Sequence, residues 1–189
     1  MSAGILYLHG FCSSPASWKV RLLSESLAAR GQSDCLICPF LSHVPSDAMA
    51  QAEAVIHSQN RSLTLVGSSL GGFYATALAE KHDLRAVLIN PAVIAPISLS
   101  RYLGTQTNLH TGEAFEFSAE HIDQLRTLEV SQINPERYLL LLETGDEVLD
   151  YRLAVKRYAG CQQHVLEGGD HSFTRFPELL PQLLEYCGL

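Results

Sequence analysis

The sequence has no long hydrophobic run and no excess of basic residues. Its longest uninterrupted apolar runs are only a few residues, such as residues 138–142, whereas a membrane-spanning helix needs about 20. Its 13 Lys and Arg residues are outnumbered by 20 Asp and Glu, and the formal net charge is −7. The chain therefore lacks the basic surface typical of nucleic-acid-binding proteins. We expect neither a membrane nor a nucleic acid among its partners.

The chain also lacks an even set of cysteines, so no disulfide framework is expected. Cys35 and Cys38 have the CxxC spacing of some redox and zinc sites. However, residues 35–38 look like a short buried strand, on which side chains three positions apart point to opposite faces. No second CxxC is present. We interpret both thiols as core residues and expect no metal site.

Length and composition indicate one globular domain. The chain has 189 residues, of which 47% are hydrophobic and 17% charged, which excludes a disordered or fibrous protein. Before the first apolar run there is no basic segment, so we expect no secretory signal and a cytoplasmic protein. The predicted organisation is a single domain over residues 1–189.

Strand-like and helix-like segments alternate along the chain. Short apolar runs without in/out alternation favour a parallel sheet that is buried on both faces. Alternation of such strands with helical patterns predicts an α/β fold: a doubly wound, mostly parallel sheet of about six strands with helices on both faces. The predicted strands are residues 4–8, 35–38, 62–66, 84–89, 138–143 and 163–166.

One connection is much longer than the usual 2–6 residues between strands and helices. Residues 91–137 contain a polar tract at 105–108 and a helical pattern at 118–128. We interpret this segment as a small cap inserted over one end of the sheet, although a crossover helix with long connections fits equally well. Phe115 and Phe117 are candidate apolar pocket residues, but their alternation around Glu116 also fits a short solvent-side strand.

The strongest motif is Gly67-Ser68-Ser69-Leu70-Gly71, which fits G-x-S-x-G. It follows a predicted strand and begins a predicted helix, as a nucleophile elbow requires. This context favours Ser69 as a nucleophile on a sharp turn, where the flanking glycines remove side chains that would clash. The alternative is that one of the two serines only caps the helix.

A serine nucleophile needs a general base and a carboxylate that orients it. His171 lies in a loop after the last predicted strand, and Asp146 follows the strand at 138–143. The chain order Ser, Asp, His is that of α/β-hydrolases. Asp146 could instead cap the next helix, in which case Asp150 would be the acid.

Acyl transfer also needs two N–H groups that bind the developing oxyanion. The N–H of Leu70 follows the nucleophile directly, and the loop after the first strand supplies the second donor, which we assign to Phe11. We interpret His9 in this loop as a hydrogen-bonding brace rather than a catalytic group.

Five blocks of the sequence resemble the small bacterial YqiA-like esterases of the α/β-hydrolase superfamily. The blocks are Tyr7-Leu-His-Gly-Phe11 with Ser13-Ser14-Pro15, Gly67-Ser-Ser-Leu-Gly-Gly72, Asn90-Pro91-Ala92, Thr144-Gly-Asp-Glu-Val-Leu-Asp-Tyr151 and Gly168-Gly-Asp-His-Ser-Phe173. The resemblance spans nearly the whole chain and implies a minimal hydrolase sheet without the first two strands of larger members. Cys12 departs from the asparagine expected after His-Gly-Phe.

The resemblance implies a serine esterase with a small-molecule acyl ester substrate and with no metal or organic cofactor. An acyl-CoA or other thioesterase with the same triad is an alternative, because leaving-group preference depends on the pocket. A non-catalytic binding module that kept the fold is a further alternative, since a fold does not by itself imply activity.

Overall fold

The computed structural model describes residues 3–189. Met1 and Ser2, on which the expectation about a secretory signal partly depends, lie outside the described residues. The strands are β1 (Ala3–Leu8), β2 (Leu36–Ile37), β3 (Ser62–Ser68), β4 (Arg85–Ile89), β5 (Gly104–Thr107), β6 (Ala114–Phe117), β7 (Tyr138–Glu143) and β8 (Gln162–Leu166). The α-helices are α1 (Trp18–Ala29), α2 (Pro45–Ser58), α3 (Leu70–His82), α4 (Ala95–Leu99), α5 (Ala119–Thr127), α6 (Tyr151–Arg157) and α7 (Phe176–Cys187).

Six strands form the central sheet in the order β2-β1-β3-β4-β7-β8, and every neighbouring pair is parallel. The predicted fold class is therefore confirmed. The inner strands are continuous apolar runs because helices cover both faces of the sheet, so both sets of alternating side chains are buried. The carboxyl ends of these strands share one edge, where the loops that carry polar side chains come together.

Alternation along β1 divides the core into two layers. Ile5 and Tyr7 pack in the layer that α1 and α7 cover, whereas Leu6 and Leu8 pack in the layer that α2 and α3 cover. All four side chains are at most 1% exposed. Burial of this kind stabilises a fold by about 1.5–3 kcal/mol for each large apolar side chain.

The segment between β4 and β7 contains α4, an antiparallel hairpin of β5 and β6, and α5. The turn of the hairpin is attached to the loop after β1. Asn108 Nδ2 donates to the carbonyl of Ser13 at 2.9 Å, and the N–H of Leu109 donates to the carbonyl of Cys12 at 2.8 Å. The hairpin is thereby fixed at the carboxyl edge of the sheet.

Two sequence-based boundaries are corrected. Only Leu36 and Ile37 pair with β1, while Cys35 ends a 3₁₀ turn and Cys38 follows the strand, because β2 is a two-residue strand at the sheet edge. Pro15 predicts the start of the first helix, since proline suits a first helical turn. The helix begins at Trp18 instead, because a turn closed by the Ser17 N–H and the carbonyl of Ser14 precedes it. Within residues 3–189 no helix has both the length and the apolarity needed to cross a membrane.

Candidate active site

Ser69 lies on a sharp turn between β3 and α3. Its backbone has φ 55° and ψ −119°, a region that residues other than glycine rarely adopt. The packing around the turn requires glycine: a Cβ on Gly67 would lie 2.3 Å from the carbonyl oxygen of Gly71, and a Cβ on Gly71 would lie 1.9 Å from the carbonyl oxygen of Leu8. The turn therefore presents the Ser69 side chain at the carboxyl edge of the sheet.

The segment after β4 holds this turn from behind. The N–H of Ser69 donates to the carbonyl of Ile89 at 3.0 Å, and the carbonyl of Ser69 accepts from the N–H of Ala92 at 3.0 Å. Gly72 packs against Pro91, since a Cβ on Gly72 would lie 2.6 Å from the Cβ of Pro91. The Asn90-Pro91-Ala92 block thus fixes the turn in its unusual conformation.

Ser69, His171 and Asp146 form one hydrogen-bonded chain. His171 Nε2 lies 3.0 Å from Ser69 Oγ, and His171 Nδ1 lies 2.8 Å from Asp146 Oδ2. Because a carboxylate only accepts, the Nδ1 position carries the proton of the neutral imidazole and Nε2 is left as the acceptor for the serine hydroxyl. The structure brings together the three side chains that the sequence singled out.

Asp146, and not Asp150, contacts His171. The Asp146 side chain is 2% exposed, and its second oxygen, Oδ1, accepts from the N–H groups of Val148 at 2.9 Å and Leu149 at 2.8 Å. Asp150 instead caps α6 by accepting from the N–H of Arg152 at 3.0 Å. Hydrogen bonds of this kind hold the Asp146 carboxylate in one orientation toward the imidazole.

The N–H groups of Phe11 and Leu70 lie on the two segments that flank Ser69. Across residues 3–189 neither N–H has an acceptor in the protein. The loop that contains Phe11 comes close to the serine, because a Cβ on Gly10 would lie 3.3 Å from the Cβ of Ser69. Both amides are therefore available to a ligand atom beside Ser69, as an oxyanion site requires.

His9 braces the loop that contains Phe11. Its Nε2 accepts from the N–H of Leu41 at 3.0 Å, and its Nδ1 lies 3.1 Å from the carbonyl of Gly10. Burial lowers the pKa of His9, which keeps the imidazole neutral, with Nδ1 as donor and Nε2 as acceptor. This arrangement agrees with the interpretation of His9 as a brace.

Two cavities share Ser69 and His171. The first, the cap-side cavity, has a volume of about 310 Å³, and its apolar walls include Leu99, Tyr102 and Leu149. The second has a volume of about 290 Å³. Its walls include Trp18, Lys19 and Ser172. Ser69 and His171 are therefore reached from two sides, from the cap and from the start of α1.

Phe115 and Phe117 do not line either of these cavities. Phe117 is 1% exposed and packs against Phe11 with ring centroids 4.9 Å apart. Phe115 contacts Phe11 at 5.9 Å and stacks on His43 at 4.5 Å. Both lie on the inner face of β6 beside the loop that contains Phe11. Phe115 also lines a third, smaller cavity of about 50 Å³ together with Phe11 and Leu70, so a pocket role for these side chains stays a prediction.

Three further residues contribute to the site, and the sequence analysis assigns no role to them. Lys19, Asn90 and Glu143 are each at most 8% exposed and hydrogen-bond to the loop that contains His171 or to its neighbours. Asn90 belongs to the Asn90-Pro91-Ala92 block of the family resemblance, and this block is a signal in the sequence for its role. Glu143 ends an apolar strand, where a glutamate ordinarily indicates the surface.

The described part of the chain contains no group of three or more His, Cys, Asp or Glu side chains arranged to hold a metal ion. All five cysteines are free thiols. Burial raises the pKa of Cys38 to about 12, so this thiol is protonated at neutral pH.

The parallel sheet and the strand-turn-helix at Ser69 define an α/β-hydrolase fold, and solved structures of an α/β-hydrolase-domain protein, an esterase and a lipase have a similar fold. Alpha/beta hydrolase domain-containing protein 10 from mouse is 16% identical with a TM-score of 0.75, covering 98% of this chain and 90% of that chain. An esterase domain from Rhodothermus marinus is 18% identical with a TM-score of 0.69, covering 97% and 85%. A monoacylglycerol lipase from Paleococcus ferrophilus is 15% identical with a TM-score of 0.69, covering 97% and 93%.

Within this fold the chain belongs to one particular family. Residues 4–188 match the model of the uncharacterised protein family UPF0227. The match includes every strand and helix from β1 to α7, apart from Ala3, the first residue of β1.

Proposed function

We propose that the protein is a serine hydrolase that cleaves carboxylic esters of small molecules. Ser69 is the nucleophile, His171 the general base, and Asp146 the carboxylate that orients the imidazole. The observation that carries the proposal is the chain of hydrogen bonds from Ser69 Oγ to His171 at 3.0 Å and from His171 to Asp146 at 2.8 Å. A serine hydroxyl is a weak nucleophile, and an adjacent base of this kind activates it.

The reaction proceeds in two halves. Ser69 Oγ attacks the ester carbonyl while its proton moves to His171 Nε2, and the N–H groups of Phe11 and Leu70 stabilise the resulting oxyanion. The alkoxide leaves with the proton from His171, and the acyl group stays on Ser69. A water molecule, deprotonated by His171, then attacks the acyl-enzyme and releases the acid. Asp146 stabilises the imidazolium in both halves.

The cap-side cavity is the proposed site of the acyl group. Its apolar walls suit a hydrocarbon portion, and a volume of about 310 Å³ is at the small end for ligand sites, which favours a compact acyl group. In this proposal residues 91–137 act as a cap within a single domain, because α4 and the β5–β6 hairpin supply walls of the cavity at Leu99, Gln106 and Thr107.

The decisive experiment is labelling with a fluorophosphonate, which reacts only with an activated serine. The native protein should be labelled and should hydrolyse a simple aryl ester. Ser69→Ala should abolish labelling and lower kcat by about 10⁶-fold with the fold intact, as loss of a triad nucleophile does. Ser68→Ala is the matched control and should retain both activities.

Absence of labelling in the native protein would contradict the proposal and favour a non-catalytic binding module. Turnover retained in Ser69→Ala would equally contradict it. An aryl ester and an aryl thioester of one acyl group, compared at equal concentration, separate an esterase from a thioesterase, because only the leaving group differs between them.

A further inference from the structure

The backbone around His171 is held by four side chains that come from three distant parts of the chain. The residues between β8 and α7 form a loop that contains His171 and has little regular structure of its own. The partners are Glu143 Oε2 for the Asp170 N–H (2.7 Å), Asn90 Nδ2 for the Asp170 carbonyl (3.0 Å), Glu147 Oε2 for the His171 N–H (3.0 Å) and Lys19 Nζ for the Ser172 carbonyl (2.7 Å). The position of the imidazole therefore depends on these contacts.

Glu143 is the most deeply buried of these four side chains. Its side chain is 0% exposed, and its two oxygens accept from the loop on both sides of His171: Oε2 from the N–H of Asp170 and Oε1 from the N–H of Arg175 at 3.2 Å. The backbone passes so close that a Cβ on Gly169 would lie 2.1 Å from Oε2. A wholly buried carboxylate is unfavourable unless hydrogen bonds satisfy it, and this one spans the segment that contains His171.

Hydrogen-bond donors and the N-terminus of a helix face the Glu143 side chain. Arg175, whose N–H binds Oε1, directly precedes α7, and the N-terminus of a helix attracts anions. The ammonium group of Lys19, a residue that is itself 8% exposed, donates to the same loop at the carbonyl of Ser172. The loop is thus held both by the buried Glu143 side chain and by the buried Lys19 side chain.

We propose that Glu143 is a positioning residue that keeps the imidazole of His171 within hydrogen-bonding distance of Ser69, acting through the backbone of Asp170 and Arg175. The inference depends on the proposed role of His171 as general base. Misplacement of a reacting group by about 1 Å can lower a rate by about 10²-fold, so a carboxylate that never touches the substrate can control the rate.

The test is Glu143→Gln, which keeps the shape of the side chain but replaces one accepting oxygen with an NH₂ that faces a backbone N–H. We expect kcat for an aryl ester to fall by about 10- to 100-fold, with KM changed less than about twofold. Fluorophosphonate labelling of Ser69 should slow in parallel. The NMR signal of the His171 Nδ1 proton, which Nδ1 donates in a hydrogen bond to Asp146, should broaden or disappear.

Glu80→Gln is the matched control. Glu80 also accepts several hydrogen bonds, including those from the Asn134 N–H at 3.0 Å and the Tyr138 hydroxyl at 2.6 Å, but at the opposite end of the sheet. It should lower stability while leaving kcat, labelling and the His171 signal unchanged. If Glu143→Gln does not fold, Glu143→Asp, whose shorter carboxylate can reach only one of the two amides, is measured instead.

The outcomes separate this proposal from the proposed function. If the native protein lacks activity and labelling, the proposed function is wrong, and the His171 signal alone tests the positioning role. A signal that broadens in the Glu143 variant supports the role, and an unchanged signal overturns it. In an active protein, a Glu143 variant with native kcat and a native His171 signal would overturn the role. Equal losses in Glu80→Gln and Glu143→Gln would also overturn it.

Discussion

At the scale of single residues, the carboxylates at 146 and 150 illustrate how local contacts divide two similar side chains between different tasks. Asp146 is buried and makes three hydrogen bonds, one of them to the imidazole of His171. Asp150 is exposed, forms an ion pair with Arg152 and caps α6. Of these two carboxylates, only Asp146 contacts the His171 imidazole and so determines which ring nitrogen carries the proton.

Asp146→Asn should lower kcat by about 10⁴-fold with the fold intact. The amide NH₂ cannot accept from Nδ1–H, so the imidazole is held in the wrong tautomer and Nε2 no longer accepts the serine proton. Steady-state kinetics with an aryl ester measure the loss, and near-UV circular dichroism checks the fold.

Asp150→Asn serves as the control, because asparagine is as good an N-cap as aspartate. Activity and stability should both stay close to those of the native protein. A large loss of kcat at position 150, with position 146 silent, would assign the triad acid to Asp150.

At the scale of secondary-structure elements, the bounds of a strand are predicted best where neighbouring strands pair with it on both sides. β7 has the predicted bounds, because it is an apolar run between two turns and pairs with a strand on each side, β4 and β8. The strand predicted at 35–38 shortens to Leu36–Ile37, since an edge strand pairs on one side only and its ends are not held. An apolar tetrapeptide does not distinguish these two cases.

Some residues of the candidate site can likewise be predicted from the sequence, and others cannot. Ser69, Asp146 and His171 could be predicted because each is linked to a local pattern: an elbow motif, or a loop after an apolar strand. Glu143 could not, because its role depends on a loop about 30 residues further along the chain that only the complete fold brings over it. The same holds for the cap: Tyr102 and Phe115 are both aromatic, and only packing places Tyr102 in the wall of the cap-side cavity and Phe115 against Phe11.

The cap-side cavity allows a prediction for these cap elements. Tyr102 lines the cavity beside Ser69, so Tyr102→Ala should enlarge it and raise kcat/KM for bulky acyl groups relative to acetate by about tenfold. The measurement is a series of aryl esters with acyl chains of increasing length. Tyr151→Ala, a half-buried tyrosine outside this cavity, should leave the series unchanged. An unaltered series for Tyr102→Ala would remove the assignment of this cavity to the acyl group.

At the scale of the whole molecule, the candidate site joins the two ends of the chain. The hydrogen bond from Lys19 to the carbonyl of Ser172 spans 153 residues, and Leu23 and Leu27 of α1 pack in the same core layer as Leu183 and Leu184 of α7. Formation of the site is therefore coupled to formation of the complete sheet and both of its helical layers. A fragment that lacks α1 would lose both the cation beside the His171 loop and part of the core under it.

Because of this coupling, the pH dependence of the free energy of unfolding reports on the burial of Lys19. Burial lowers the pKa of Lys19 from 10.5 to about 8, while the nearby carboxylates of Asp170 and Glu143 oppose the shift. Between these two pH values the unfolded chain binds more protons than the folded one, so the free energy of unfolding rises with pH. The unfavourable contribution of the buried ammonium is fully present below pH 8 and is lost as the pH approaches 10.5.

Lys19→Met removes this contribution, and the difference in unfolding free energy between the native protein and the variant isolates it from the titration of cysteines and tyrosines, which both proteins share. We expect the native protein to gain stability relative to Lys19→Met between about pH 7.5 and 10.5, by at most about 3 kcal/mol. Urea denaturation at intervals across this range measures the difference. The hydrogen bond to Ser172 does not alter the slope, because a neutral amine still donates. A difference that is independent of pH, or that falls as pH rises, would mean that Lys19 is not desolvated in the folded protein.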